Sequence, residues 1–151
     1  MSETSSGQQA AAVAVFDPFA GADPAVGALC DALLAEGVDA EITSDPASAV
    51  AADGLVVAAS GDAAEVLRVL RNTQVDRVVG QRLAGSRPVL VVGAAMDALF
   101  ERAADGAAGF GEWPGGVVKL DAPVERAEVA AADGSQMLDG AQEFVFNAAT
   151  G

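Results

Sequence analysis

Ala11-Ala12-Val13-Ala14-Val15-Phe16 is an unbroken apolar run that stops at Asp17-Pro18. A strand buried on both faces reads as such a run, not as an alternation, and that is the mark of a parallel sheet covered by helices on either side. Asp23 then stands at an N-cap position, with Pro24 at the first helical position. Val26, Leu29, Cys30, Leu33 and Leu34 recur at the spacing of one helix face, and Gly37 is placed to close it. Strand followed by helix is the first unit, and the pattern repeats.

Val38 to Thr43 alternates and reads as a second strand, and Ser44-Asp45-Pro46 opens a short helical turn. Leu55-Val56-Val57-Ala58 is a third strand. Asp62 to Arg71 is a helix with Val66, Leu67 and Leu70 inward, and Val75, Val78, Val79 and Leu83 suggest another. Pro88 leads into a fourth strand, Val89-Leu90-Val91-Val92, and Met96, Leu99 and Phe100 mark a helix beyond Gly93. The alternation predicts an α/β fold with an open, mostly parallel sheet and helices on both faces.

The character changes after Arg102. Gly106, Gly109, Gly111, Gly115 and Gly116 give residues 103–116 the composition of a loop. Val117 to Leu120, 124–129 and 143–146 read as strands, the last two antiparallel, forming a short C-terminal β region. Residues 1–10 are expected to be a disordered leader, and 11–151 a single domain.

Composition removes whole classes of chemistry. The chain has 151 residues, no His and one Cys. Ser-His-Asp and Cys-His catalysis, imidazole metal sites, disulfides and cysteine clusters are all excluded, so neither a metal nor another cofactor is expected. A net charge of −14 argues against nucleic acid as a partner. The first ten residues carry no basic region of a signal peptide, and no apolar run is long enough to cross a bilayer. No membrane association and a cytoplasmic location are expected. A phosphate-binding turn is not written either, because Asp23 and Asp62 follow Gly21 and Gly61 where phosphate would sit. A receiver domain would need an acidic pair after the first strand and an Asp after the third. Asp17 is single, the third strand ends in Ala58-Ala59, and the lone Lys119 reads as a solvent-facing strand position.

In spacing, the chain resembles the class I glutamine amidotransferases, whose fold is flavodoxin-like. It is most similar to the glutaminase subunits of imidazole-glycerol-phosphate synthase, in a degenerate and truncated form. Four stretches carry the resemblance: Val13 to Asp17 with Gly21; Ile42 to Pro46 with Ala52 to Val56; Arg87 to Leu90; and Met96 with Leu99 to Glu101. It covers residues 11 to about 120. The family's elbow is Gly-x-Cys-x-Gly, a strained strand-to-helix turn that favours thiolate. Here the five residues are Val91-Val92-Gly93-Ala94-Ala95, so Gly93 occupies the nucleophile's place. Glycine tolerates the positive φ of such a turn. Ala58-Ala59-Ser60-Gly61 stands where the family has a Gly-rich oxyanion loop. Cys30 lies on an inward helix face and reads as core.

Asp97 falls where the family has a Gln. A solvated helix position is its simplest reading; pairing with an Arg of a partner is the other. Trp113, beside Pro114, is either an interface anchor or a cap on the core. The resemblance implies a glutaminase-like domain that is not an enzyme. It would act as a structural or regulatory subunit, docking a protein through the face around Gly93, Asp97 and Trp113. Two alternatives remain open: a non-hydrolysing subunit bound to the imidazole-glycerol-phosphate synthase cyclase, or a small-molecule binder using a vacated pocket.

Overall fold

The structure is a computed structural model and describes residues 12–150, so the expected leader at 1–10 lies outside the described residues. The chain runs β1 (Ala12–Phe16), α1 (Pro24–Ala35), β2 (Asp39–Thr43), α2 (Pro46–Ala51), β3 (Gly54–Ala59), α3 (Ala63–Asn72), α4 (Val75–Ala84) and β4 (Val89–Gly93). The four strands form one parallel sheet in the order β2-β1-β3-β4. Three helices start on aspartate caps. Asp23 accepts from the Ala25 amide at 2.9 Å, Asp45 from Ala47 and Ser48, and Asp62 from Glu65 at 3.1 Å.

The period of two divides each strand between the faces. Val15 and Val56 pack with Val26 and Cys30 of α1. Ala14, Phe16, Leu55, Val57 and Ala59 pack on the other side with residues of α2, α3 and α4. Phe16, Leu55 and Val57 are at most 2% exposed. Fully burying such a side chain stabilises by about 1.5–3 kcal/mol, so this two-sided core holds the fold.

Three expectations need correction. Leu83 was placed inward, but it is exposed; Arg82, seven residues after Val75, takes the buried position. Leu34 is likewise exposed, since α1 buries only Val26 and Cys30. The helix expected through Met96, Leu99 and Phe100 is a single 3-10 turn, Met96–Leu99. Phe100 is already extended, and β5 (Phe100–Arg102) pairs in parallel with β6 (Trp113–Gly116). The cause is the glycine-rich segment folding back. Phe110 donates to the Ala98 carbonyl at 2.6 Å and Gly109 to Glu101 at 2.9 Å, taking carbonyls that a longer helix would need. Gly109 comes so close that a Cβ there would overlap the Phe100 carbonyl oxygen.

The C-terminal strands are longer than expected. β7 (Lys119–Ala130) pairs antiparallel with β8 (Ala141–Thr150), as a two-stranded sheet separate from the main one. Among the described residues, no helix is long and apolar enough to cross a membrane.

Candidate functional site

The main sheet leads to the site through β4. Pro88 precedes the strand, and its carbonyl accepts from Arg82 Nη2 at 3.0 Å. Arg82 is fully buried, and it also donates to the carbonyls of Ala49, Val50, Ala52 and Asp53 at 2.8–3.0 Å. Arg87 donates to Val50, Ala51 and Ala52. The two guanidiniums close the C-terminus of α2, where carbonyls lack intrahelical partners and the helix dipole favours cations. Burial, then the charge of Arg87, holds the Arg82 pKa below its ordinary value, with Asp53 opposing. The spacing Val75, Val78, Val79, Arg82 carries the signal for Arg82, but a charged side chain is not expected at a core position, and its apolar neighbour Leu83 competes for it.

At the far end of β4 the backbone turns sharply. Gly93 has φ +69, and the next amide, of Ala94, donates to the Ala59 carbonyl at 2.8 Å. A Cβ on Gly93 would overlap that same carbonyl oxygen. The positive φ expected of the elbow is therefore present, and glycine is also required here by the close approach of β3.

Asp97 sits in the turn that follows. It is 3% exposed, which corrects the reading of a solvated helix position. Burial pushes its carboxyl pKa up, and among the described residues no hydrogen bond or ion pair reaches it. The residue is buried and its carboxylate has no counter-charge, yet the oxygens keep a little solvent contact: among the described residues, the fully buried side-chain polar atom without a partner is Arg82 Nε.

Trp113 completes the region. It stands opposite Phe100 in the β5–β6 register, with ring centroids 5.7 Å apart and planes at 70°. The edge-on contact holds one side of the indole, yet the residue is still 49% exposed. It is a supported aromatic on the surface, not a cap on the core. Gly93, Asp97 and Trp113 are thus linked through one turn and one strand pair.

The loop after β3 is committed elsewhere. The Ser60 amide and hydroxyl donate to Asp23 at 2.7 and 2.8 Å. Burial raises the Asp23 pKa, but the hydrogen bonds from Ser60 and Ala25 outweigh it and hold the carboxyl below its usual value. A cavity of about 190 Å³ lies beside this contact, lined by residues that include Phe19, Asp23, Ser60, Asp62 and Glu65. Its carboxylates repel phosphate, as the sequence implied. Gly93 does not line it.

Cys30 is in the core on the α1 side, its thiol 3.8 Å from the Ala40 carbonyl. Burial and then Asp31 push the thiol pKa up, the opposite of an activated nucleophile. Among the described residues, no group of three His, Cys, Asp or Glu side chains is placed to hold a metal.

No protein-family model matches the chain. Individual proteins do. The chain is 50% identical over 91 residues to the imidazole glycerol phosphate synthase subunit HisH of Thermobifida fusca, a match covering 58% of this chain and 43% of that protein. It is 46% identical over 96 residues to the HisH of Nocardia farcinica and 43% identical to that of Corynebacterium diphtheriae, in both cases over 62% of this chain and 46% of the relative. The chain spans a little less than half the length of these relatives.

This corrects one expectation. From sequence alone, the missing thiol and histidine imply a chain that is not an enzyme. Its relatives are subunits of a synthase, so its kinship is with an enzyme, and that reading does not stand. Over about three fifths of its length, the chain is similar to the HisH subunits of imidazole glycerol phosphate synthase.

Proposed function

We propose that this chain is a HisH-like subunit of imidazole glycerol phosphate synthase, working in the cytoplasm in histidine biosynthesis, with residues 11–151 acting as one unit. The reading rests on the 50% identity to a subunit of that synthase. Its partner is the cyclase subunit, and the docking face is the one that carries Gly93, Asp97 and Trp113. Asp97 supports this choice of face. A buried carboxylate lacking a counter-charge gains most from a partner that brings an Arg or Lys against it. Trp113 has the character of an interface anchor: large, half exposed and held rigid on one side.

The test is calorimetric titration of the full chain with the cyclase subunit from the same cell. A saturable one-to-one heat is expected, weakened at least tenfold by Asp97→Asn. No heat, with both proteins folded, overturns the proposal. Synthase turnover of the reconstituted pair on glutamine then measures what the chain contributes to the reaction.

A further inference from the structure

Residues 98–116 form a unit that bonds chiefly to itself. Gly109 donates to the Glu101 carbonyl, Phe110 to Ala98 and Gly111 to Phe100, and Arg102 bridges Ala108. The Gly115 amide donates to the Glu101 carboxylate at 3.1 Å. Burial attaches this unit to the main fold: Ala98, Leu99 and Ala103 share a core cluster with Val66, Leu67 and Leu70 of α3. Burial is non-directional, so it holds the unit down without fixing where the segment 103–112 lies. Gly106, Gly109 and Gly111 make that segment costly to order.

Arg71 supplies the direction. It is exposed, in the last turn of α3, and its Nη2 donates to the carbonyls of Ala108 and, at 3.1 Å, of Gly109. A cation at a helix C-terminus ordinarily serves the last carbonyls of its own helix. Arg71 instead reaches another element, and among the described residues it is the one helix side chain that hydrogen-bonds the segment. Neither of the described salt bridges includes it. The two carbonyls it holds lie beside the amides of Gly109 and Phe110, which in turn hold Glu101 and Ala98. Ala98 follows Asp97, and Glu101 lies in β5, the partner of the strand that carries Trp113.

We propose that Arg71 is a positioning residue of the docking face. By tying the Ala108 and Gly109 carbonyls to α3, it sets the turn of Asp97 and the Phe100–Trp113 pair in one arrangement before a partner arrives. The inference rests on the docking face proposed above and names what makes that face rigid. A face ordered in advance spares the complex the cost of ordering the segment, and the saving appears as affinity. The guanidinium suits the task, because its bonds to the carbonyls are charge-assisted and its planar fork loses little freedom in making them. Arg71 is exposed, so its loss leaves the core intact and shows in the segment.

The experiment compares the full wild-type chain with Arg71→Ala, Arg71→Lys and Arg68→Ala. Arg68 is exposed on the same helix and carries the same charge, but it pairs with Glu65 at 4.0 Å. The free chain is read first, by hydrogen exchange of the Gly109 and Phe110 amides and by the fluorescence anisotropy of Trp113. Arg71→Ala is expected to speed exchange at both amides by about tenfold or more and to lower the anisotropy, with the β1 and β3 amides unchanged. Arg71→Lys should fall between, and Arg68→Ala should match the wild type. Titration with the cyclase subunit is then expected to show Arg71→Ala weakened by about fivefold or more, with the variants ranked as in the free chain. Unchanged exchange and anisotropy in Arg71→Ala overturn the proposal. So does a loss of affinity that Arg68→Ala reproduces, which would assign the effect to charge. Faster exchange with undiminished affinity overturns it as well, because the segment then takes no part in docking. A wild type that does not bind overturns the docking face and the positioning role together. The free-chain data, which need no partner, tell that failure apart from a failure of Arg71 to hold the segment.

Discussion

Gly93 and the Ala59 carbonyl approach so closely that no side chain fits between them. The contact joins the ends of β3 and β4 and directs the chain into the turn that carries Asp97. Two effects oppose substitution at Gly93: the overlap with Ala59, and a φ of +69 that side-chain-bearing residues rarely adopt. Gly93→Ala is therefore expected to destabilise the fold by about 1–3 kcal/mol. Urea unfolding monitored by circular dichroism measures this directly. A variant as stable as the wild type would show that β3 moves aside freely, and the turn would then not be rigidly set.

Arg82 makes a second prediction about the frame behind the site. Removing its side chain takes a donor from five carbonyls, those of Ala49, Val50, Ala52, Asp53 and Pro88, of which Val50 and Ala52 keep Arg87 and Pro88 keeps the Leu55 amide. Arg82→Ala is expected to cost about 3 kcal/mol or more, from lost packing together with unsatisfied acceptors. Arg87 is less buried and shares Val50 and Ala52 with Arg82. Arg87→Ala is expected to cost only about 1 kcal/mol. If the two unfold at the same urea concentration, the buried guanidinium is not what closes α2.

Asp97 gives the molecule a pH dependence with a definite sign. Its folded pKa is raised above the ordinary aspartate value of 3.8, so within that window the folded state binds more protons than the unfolded one. Stability therefore falls as pH rises through the window, and the deficit persists at neutral pH. Asp23 and Asp45 act oppositely. Their pKa values are lowered, and the stability they contribute is present above 3.8 and lost as pH falls through their folded values. Asp97→Asn is expected to raise the urea midpoint at neutral pH and to flatten the profile above pH 3.8. The same variant should bind the cyclase subunit less well, which is how a site that costs stability differs from a mere packing defect. A midpoint that stays put at neutral pH would mean that the acid is not desolvated.

The sheet was legible from the sequence because β1, β3 and β4 are continuous apolar runs and three helices carry Asp caps, both of which are local signals. Val13 to Phe16 and Leu55 to Ala58 could hardly be read otherwise. The errors arose where distant residues decide. Phe100 continues a helical spacing from Met96, yet Gly109 and Phe110, ten residues on, claim the carbonyls that would extend it. Arg82 has the period of a core residue and the chemistry of a surface one. Only the open end of α2, folded against it, makes burial favourable. Gly93 follows from the resemblance to the amidotransferase elbow, but the Ala59 contact that requires glycine belongs to another strand. Asp97 looked solvated because nothing in its neighbourhood along the chain reports what covers it.

Trp113 is the chain's one tryptophan, so its fluorescence reports a single place. It is half exposed, with one edge on Phe100. In the free chain its emission should lie at the long wavelength of a hydrated indole and be quenched by iodide. Binding of the cyclase subunit at the proposed face would desolvate it, shifting emission to the blue and protecting it from quencher. Trp113→Ala removes the edge-on pair and is expected to cost the fold only about 0.5–1.5 kcal/mol. If the indole anchors the interface, the same change should weaken binding by about 2 kcal/mol or more. Binding that leaves the emission and the quenching unchanged would place the partner elsewhere on the molecule, and the docking face would have to be sought away from β5 and β6.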